Sequence, residues 1–312
     1  MNNNVLTEEA MIAAALRAEL QIPPKVDLHQ LAGQLGLTIV EVESKSFEGA
    51  LLRSSRKLSA RVLVRRGIRE SGRRRFTIAH EVGHYILHGN QQIIPCSPRV
   101  IEGWKEGQPT PEREADIFAS ELLLPTNDVT KYVNKRWPSM EVITDIADQF
   151  GSSLMAAGRK FCDVASQACA IVWSSQRQIR WFHGSPTFAY FIERGKDIHF
   201  DSIAYRAFEG NSLPSEMEEV PAGAWIKSFW LREDAVVCEQ TLAMPNYDGC
   251  LSLIWVRRPI ENRPTAEDEL LRELDPEDFT LNRKRWPREA RCVKFWKCRC
   301  PKPCRPSDGA AF

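Results

Sequence analysis

At 312 residues, with 43% hydrophobic and 27% charged side chains, the chain is long enough for two or three domains with sizeable cores, and no stretch of it reads as a membrane span. A formal charge of +1 gives no global attraction to nucleic acid, so any contact with DNA has to come from a local patch. The opening MNNNVLTEEA lacks the basic patch and apolar run of a secretory signal, so the expected location is the cytoplasm, where nine cysteines point to reduced thiols or metal binding rather than a disulfide framework.

Thr7, with Glu8 and Glu9 behind it where negative charge complements the helix dipole, starts a first helix that residues 10–21 fill until Pro23-Pro24. Asp27 with Gln30 three residues on makes a capping-box pattern for a second helix, Val26 and Leu31 can staple across it, and Gly36 closes it. Residues 37–42, 49–53 and 60–65 then read as three short strands rich in Val, Ile and Leu. Arg65-Arg66 and Arg73-Arg74-Arg75 are local positive clusters, which read as a solvated face or as a contact for an acidic partner.

Residues 80–84 read His80-Glu81-Val82-Gly83-His84. Two histidines four apart on a helix project from one face about a turn apart, so both imidazoles can reach one cation. Phe76, Ala79, Val82, Gly83, Ile86 and Leu87 make an apolar stripe around them, which places the motif on an amphipathic helix with a buried back. The pair suits Zn²⁺, and Glu81 beside it is placed to take a proton from metal-bound water. Gly83 costs about 1 kcal/mol of helix propensity and marks a place where another backbone or a substrate approaches. His88, one turn further on along the same face, reads as an outer partner of the histidine pair or a partly exposed histidine, with ligation the alternative.

A catalytic zinc takes three protein ligands and keeps one position open, so a third donor is needed. The next segment, residues 110–125, opens with an N-cap Thr110 and Pro111 at the first helical position and ends at Pro125. Its stripe of Ala115, Phe118, Ala119, Leu122 and Leu123 leaves Glu112 and Glu114 on opposite shoulders, and periodicity does not choose between them.

The segments RFTIAHEVGHYILHG and EREADIFASELLLP together resemble the two signature helices of the ImmA/IrrE metallopeptidase family, with Leu124 where methionine is common. The resemblance implies an α+β, zincin-like peptidase fold with zinc held by His80, His84 and Glu114 and with Glu81 as general base. Glu112 stays the alternative ligand, since Glu112 and Asp116 reproduce the glutamate-x-x-x-aspartate spacing of thermolysin-like enzymes; Asp116 can then orient a ligand from behind.

Residues 142–161 divide into a helix, a glycine turn with a serine cap and another helix, a helix-turn-helix-like plan. Either residues 152–160 enter a major groove, with Arg159 and Lys160 the basic groups available, or the pair packs on the peptidase. Alternating, aromatic-rich segments at 169–173, 178–182, 225–231, 235–241 and 250–256 then read as strands, with Trp173, Trp181, Trp225, Trp230 and Trp255 in cores or interfaces. The tail carries Cys292, Cys298, Cys300 and Cys304, either a second zinc site or exposed thiols on a basic segment.

The expected organisation is a zinc peptidase domain over 1–138, the helix-turn-helix-like segment over 139–165, a β-rich sensory or docking domain over 166–260 and a charged linker with the Cys-rich tail over 261–312. By resemblance the function is that of a zinc-dependent endopeptidase that cuts a helix-turn-helix repressor to release stress or mobile-element genes. The competing expectation is a transcriptional regulator that keeps the peptidase fold as a binding module.

Overall fold

In the computed structural model, residues 6–53, 60–89, 93–96 and 110–261 are described, and everything below concerns these. Two helices, α1 (Glu8–Glu19) and α2 (Leu28–Gln34), lead into strands β1 (Leu37–Val42), β2 (Gly49–Arg53) and β3 (Ala60–Arg65). Asp27 caps α2 by accepting from the backbone N–H groups of His29 and Gln30, as its residue type and position dictate. The long helix α3 (Ser71–Leu87) follows, then a short strand β4 (Ile93–Cys96) and α4 (Pro111–Leu123), whose N-cap Thr110 accepts from Arg113 N–H. The sheet order is β1-β3-β2-β4, with β1 parallel to β3 and the other pairs antiparallel, so β4 is an outer strand. In β3, Ala60, Val62 and Val64 are buried in alternation. Their period of two carries them onto one core with Leu31, Leu51, Ile78, Val82, Phe118 and Leu122.

Helices α5 (Thr126–Val133), α6 (Met140–Phe150) and α7 (Leu154–Val164) come next. The turn between α6 and α7 rests on Gly151 in the left-handed region (φ 64°), with Ser153 capping α7 through Ala156 N–H. A five-stranded antiparallel sheet follows, built from β5 (Cys169–Ser175), β6 (Gln178–Gly184), β7 (Glu218–Pro221), β8 (Val236–Met244) and β9 (Gly249–Trp255), in the order β6-β5-β9-β8-β7. Helix α8 (Ile203–Phe208) lies between β6 and β7 in the chain. One face of this sheet shares a core with α5–α7 through Cys169, Ile171, Trp181, Leu251 and Leu253. The other carries a second core with Ala170, Val172, Val237, Ile254 and Ile203. Burial on both faces explains why β5 and β9 read as near-continuous apolar runs.

The segment read as helix-turn-helix-like folds as the two helices α6 and α7, and of its two basic groups one is buried and one half-buried. Lys160 is 8% exposed; its Nζ donates to Glu121 Oε2 (2.8 Å) and Thr126 Oγ1 (2.7 Å). Arg159 stacks over the Trp181 ring at 4.7 Å. In this arrangement Lys160 is committed to a buried ion pair, and α7 is a wall between α4–α5 and the second sheet. Removing Lys160 takes the ammonium partner from the buried carboxylate of Glu121, which keeps only neutral donors from Thr126 at hydrogen-bond distance, so Lys160→Ala is expected to cost about 3 kcal/mol of stability, read as a lower denaturant midpoint; a change under about 0.5 kcal/mol would mean that the pair contributes nothing.

One sequence expectation needs revision here. Residues 225–231 are not a strand: Ala222–Ala224 form a single 3₁₀ turn, and the strand of that region is β7. Trp225 is buried with its indole N–H donating to Glu239 Oε2 (2.8 Å), whereas Phe229 is 91% exposed, so the apolar run is an anchor followed by a surface loop. The arginine clusters find acidic partners within the chain itself, Arg65 and Arg73 on Glu48 and Arg74 on Glu41. No described helix is long and apolar enough to cross a membrane. Cys162, Cys169, Cys238 and Cys250 are buried free thiols, and the tail cysteines lie outside the described residues.

Candidate metal centre and active site

Residues 77–84 of α3 are all buried, because Ile78, Ala79 and Val82 pack into the first core on one side while α4 covers the other. That contact is close: a Cβ on Gly83 would lie 3.1 Å from Phe118 Cδ1 and 3.2 Å from Ala115 Cα. The backbone approach that the glycine announces is therefore α4, not a substrate. Gly83→Val is expected to force the helices apart, costing about 1–3 kcal/mol and lowering the melting temperature; an unchanged melting temperature would contradict this packing. Arginines hold both helices by their C-terminal carbonyls. Arg53 of β2 donates to His84, Tyr85 and Gly89 carbonyl oxygens, and Arg17 of α1 donates to Leu122 O (2.6 Å), each placing a cation where the helix dipole favours one.

The roll of α4 against α3 brings three donors together. His80 Nε2 and His84 Nε2 face each other at 3.0 Å, and the carboxylate of Glu112 lies 3.4 Å from the first through Oε2 and 3.3 Å from the second through Oε1. All three donor atoms fall within 4.8 Å of one another. Two converging imidazole nitrogens and one carboxylate are the nitrogen–nitrogen–oxygen set that catalytic zinc takes, so the residues present fit that ion. The Glu112 side chain is 38% exposed, which leaves the group reachable from solvent. Behind it, His80 Nδ1 meets Asp116 Oδ1 at 2.9 Å, the outer partner that orients a ligating imidazole.

Of the two candidate third donors, Glu112 is the one whose carboxylate joins the histidine pair. Glu114 sits two residues along α4 on the other shoulder and meets His88 Nε2 at 2.8 Å, so it is absent from the three-donor group. Glu81 is fully buried. It packs against the start of β2, where a Cβ on Gly49 would overlap its Oε1, and it is near enough to His80 to raise that group's proton affinity. Gly49 and Arg53 were not identifiable as parts of the site from sequence; a glycine opening a strand and an arginine closing it carry no signal of what they touch.

Charge distribution within the site is uneven. Burial by itself lowers the pKa of His80, but hydrogen bonds to Asp116 and Glu112 and the nearby carboxylates outweigh it and raise the group to about 9. Burial lowers His84, and the neighbouring His80 and His88 push the same way. Burial pushes Glu112 up, but its hydrogen bonds to the two histidines prevail and hold its carboxyl well below the usual range.

Residues 32–161 match the family model Peptidase_M78, the IrrE N-terminal-like domain. This span starts in α2 and ends in α7, so it includes every residue of the site. No curated protein matches the chain. Among solved structures, a Mycobacterium tuberculosis transcriptional regulator is similar over 79% of this chain and 74% of its own, at 12% identity and a TM-score of 0.46.

Proposed function

We propose that the ImmA/IrrE-type domain carried by residues 32–161 makes this chain a zinc-dependent endopeptidase, with His80, His84 and Glu112 as the metal ligands and Glu81 as the general base. The observation that carries this reading is the convergence of two buried imidazole nitrogens and a carboxylate beside a buried glutamate. Zinc held there would supply a Lewis acid that acidifies a water and polarises a carbonyl. Glu81 takes a proton from that water as its oxygen bonds to the scissile carbonyl carbon, then passes the proton to the amine nitrogen as the C–N bond breaks. Asp116 holds His80 in place by its Nδ1, leaving Nε2 for the ion.

For substrate, β4 is an outer strand of the first sheet, and among the described residues its second edge has no strand partner. An extended polypeptide can add there by backbone hydrogen bonds, leaving sequence choice to side-chain pockets. The ImmA/IrrE resemblance supports a helix-turn-helix repressor as the protein cut, with release of stress or mobile-element genes as the consequence. The test is incubation of the purified chain with candidate repressors, read by mass spectrometry of the products. Cleavage abolished by a chelator and restored by zinc supports the reading; cleavage indifferent to chelation contradicts it.

Because His80 holds a proton up to about pH 9 in the metal-free site, zinc binding at neutral pH has to displace it. The sign follows: the proton competes below pH 9 and not above it. Apparent zinc affinity is expected to rise about tenfold per pH unit from pH 7 toward 9, with one proton released per ion, measurable by calorimetry in buffers of different ionisation enthalpy. A pH-independent affinity over that interval would contradict the raised proton affinity of His80.

A further inference from the structure

His88 and Glu114 lie outside the three-donor group, yet they form an unbroken chain to it. His84 Nδ1 meets His88 Nδ1 at 3.0 Å, and His88 Nε2 meets Glu114 Oε2 at 2.8 Å. From these contacts we infer that Glu114 and His88 are positioning residues, a relay that fixes the tautomer and ring orientation of His84 so that its Nε2 lone pair faces the ion; this rests on the metal reading above.

The reasoning is a count of donors and acceptors. A neutral imidazole has one N–H and one lone pair, and a ligating His84 Nε2 must offer the lone pair. Its proton then sits on Nδ1 and donates to His88 Nδ1. His88 accepts there, so its own proton sits on Nε2 and donates to the Glu114 carboxylate. Every donor meets an acceptor. Reversing the chain would turn the lone pair of His88 Nε2 toward carboxylate oxygens, which only accept, so the anion at one end sets the direction of both rings. His84 is 0% exposed, so bulk solvent does not reach its Nδ1 and this partner is decisive for its orientation. The acids at 112, 114 and 116 thus divide their work: Glu112 faces the ion, Asp116 backs His80 directly, and Glu114 backs His84 through His88.

The test measures zinc affinity against a chromophoric chelator for the full chain and for Glu114→Gln, His88→Ala and the double variant. Glu114 is 29% exposed in its side chain, so glutamine fits there without disturbing the core. Its amide can accept from or donate to His88, which removes the direction from the relay. Each single variant is expected to bind zinc about 10- to 100-fold more weakly. Because both act through one ring, the double variant should be no weaker than the weaker single. Cobalt-loaded singles should also show a shifted visible d–d spectrum, which a merely structural role would leave unmoved. Affinities within about twofold of wild type, or a double variant that loses the product of the two singles, overturn the relay. A wild-type chain that takes up no zinc overturns instead the metal reading beneath it.

Discussion

Glu81→Gln is expected to lower peptide hydrolysis by about 10²- to 10⁴-fold while the protein keeps its metal and its fold. Glutamine has nearly the same volume as glutamate, so the tight seat against Gly49 is preserved, and replacing a fully buried charge by an amide removes a desolvation cost rather than adding one. The chemistry changes, however, because an amide oxygen does not take up a proton at neutral pH. His80 also loses one of the carboxylates that hold its proton, so zinc uptake at neutral pH should not weaken. The measurement is single-turnover cleavage of one repressor substrate, with metal content and thermal melting on the same preparation. A rate within tenfold of wild type at full zinc occupancy would remove Glu81 from the proton-transfer role.

Glu112→Ala and Glu114→Ala should separate sharply in metal binding. Glu112 contributes an oxygen to the three-donor group, and without it two imidazoles remain, too few to hold a catalytic zinc firmly. The loss should exceed the roughly 10- to 100-fold that removal of an outer hydrogen-bond partner costs, and cleavage should fall to background. Glu114→Ala removes only the far end of the His88 contact and should stay within that outer range. Equilibrium competition for zinc reads both. Zinc retained by Glu112→Ala and lost by Glu114→Ala would return the third-ligand role to Glu114.

What the sequence could and could not announce follows from how each feature is encoded. The histidine pair, the N-cap at Thr110 and the strands at 37–42, 49–53 and 60–65 are local patterns, set by spacing and by residues that touch their own backbone, and each appears where its pattern put it. The choice between Glu112 and Glu114 is different in kind. Both flank the same apolar stripe, and what selects Glu112 is the roll of α4, fixed by the close seat of Ala115 on Gly83. That contact joins residues 32 positions apart, by subtraction of 83 from 115, and no periodicity within one helix reports it.

Lys160 illustrates the same limit from the other side. In a list of residues it is a basic group on a second helix of a helix pair; in the fold its partner is Glu121, 39 positions earlier, and the pair is sealed from solvent. The stretch 225–231 looks like a strand because aromatic and aliphatic residues crowd it, but Trp225 is fixed by a buried hydrogen bond to Glu239 and the residues after it belong to the surface. His88 was legible as a histidine on the same face one turn past His84, but its place between His84 and Glu114 required both helices to be in place.

The most direct measurement is anomalous diffraction at the zinc absorption edge from crystals of the zinc-loaded chain. The account predicts a peak about 2.0–2.2 Å from His80 Nε2, His84 Nε2 and a Glu112 oxygen, with Asp116 on His80 Nδ1 and His88 on His84 Nδ1. A zinc-loaded crystal with no peak between these three side chains, or one in which Glu114 replaces Glu112 on the ion, would contradict it.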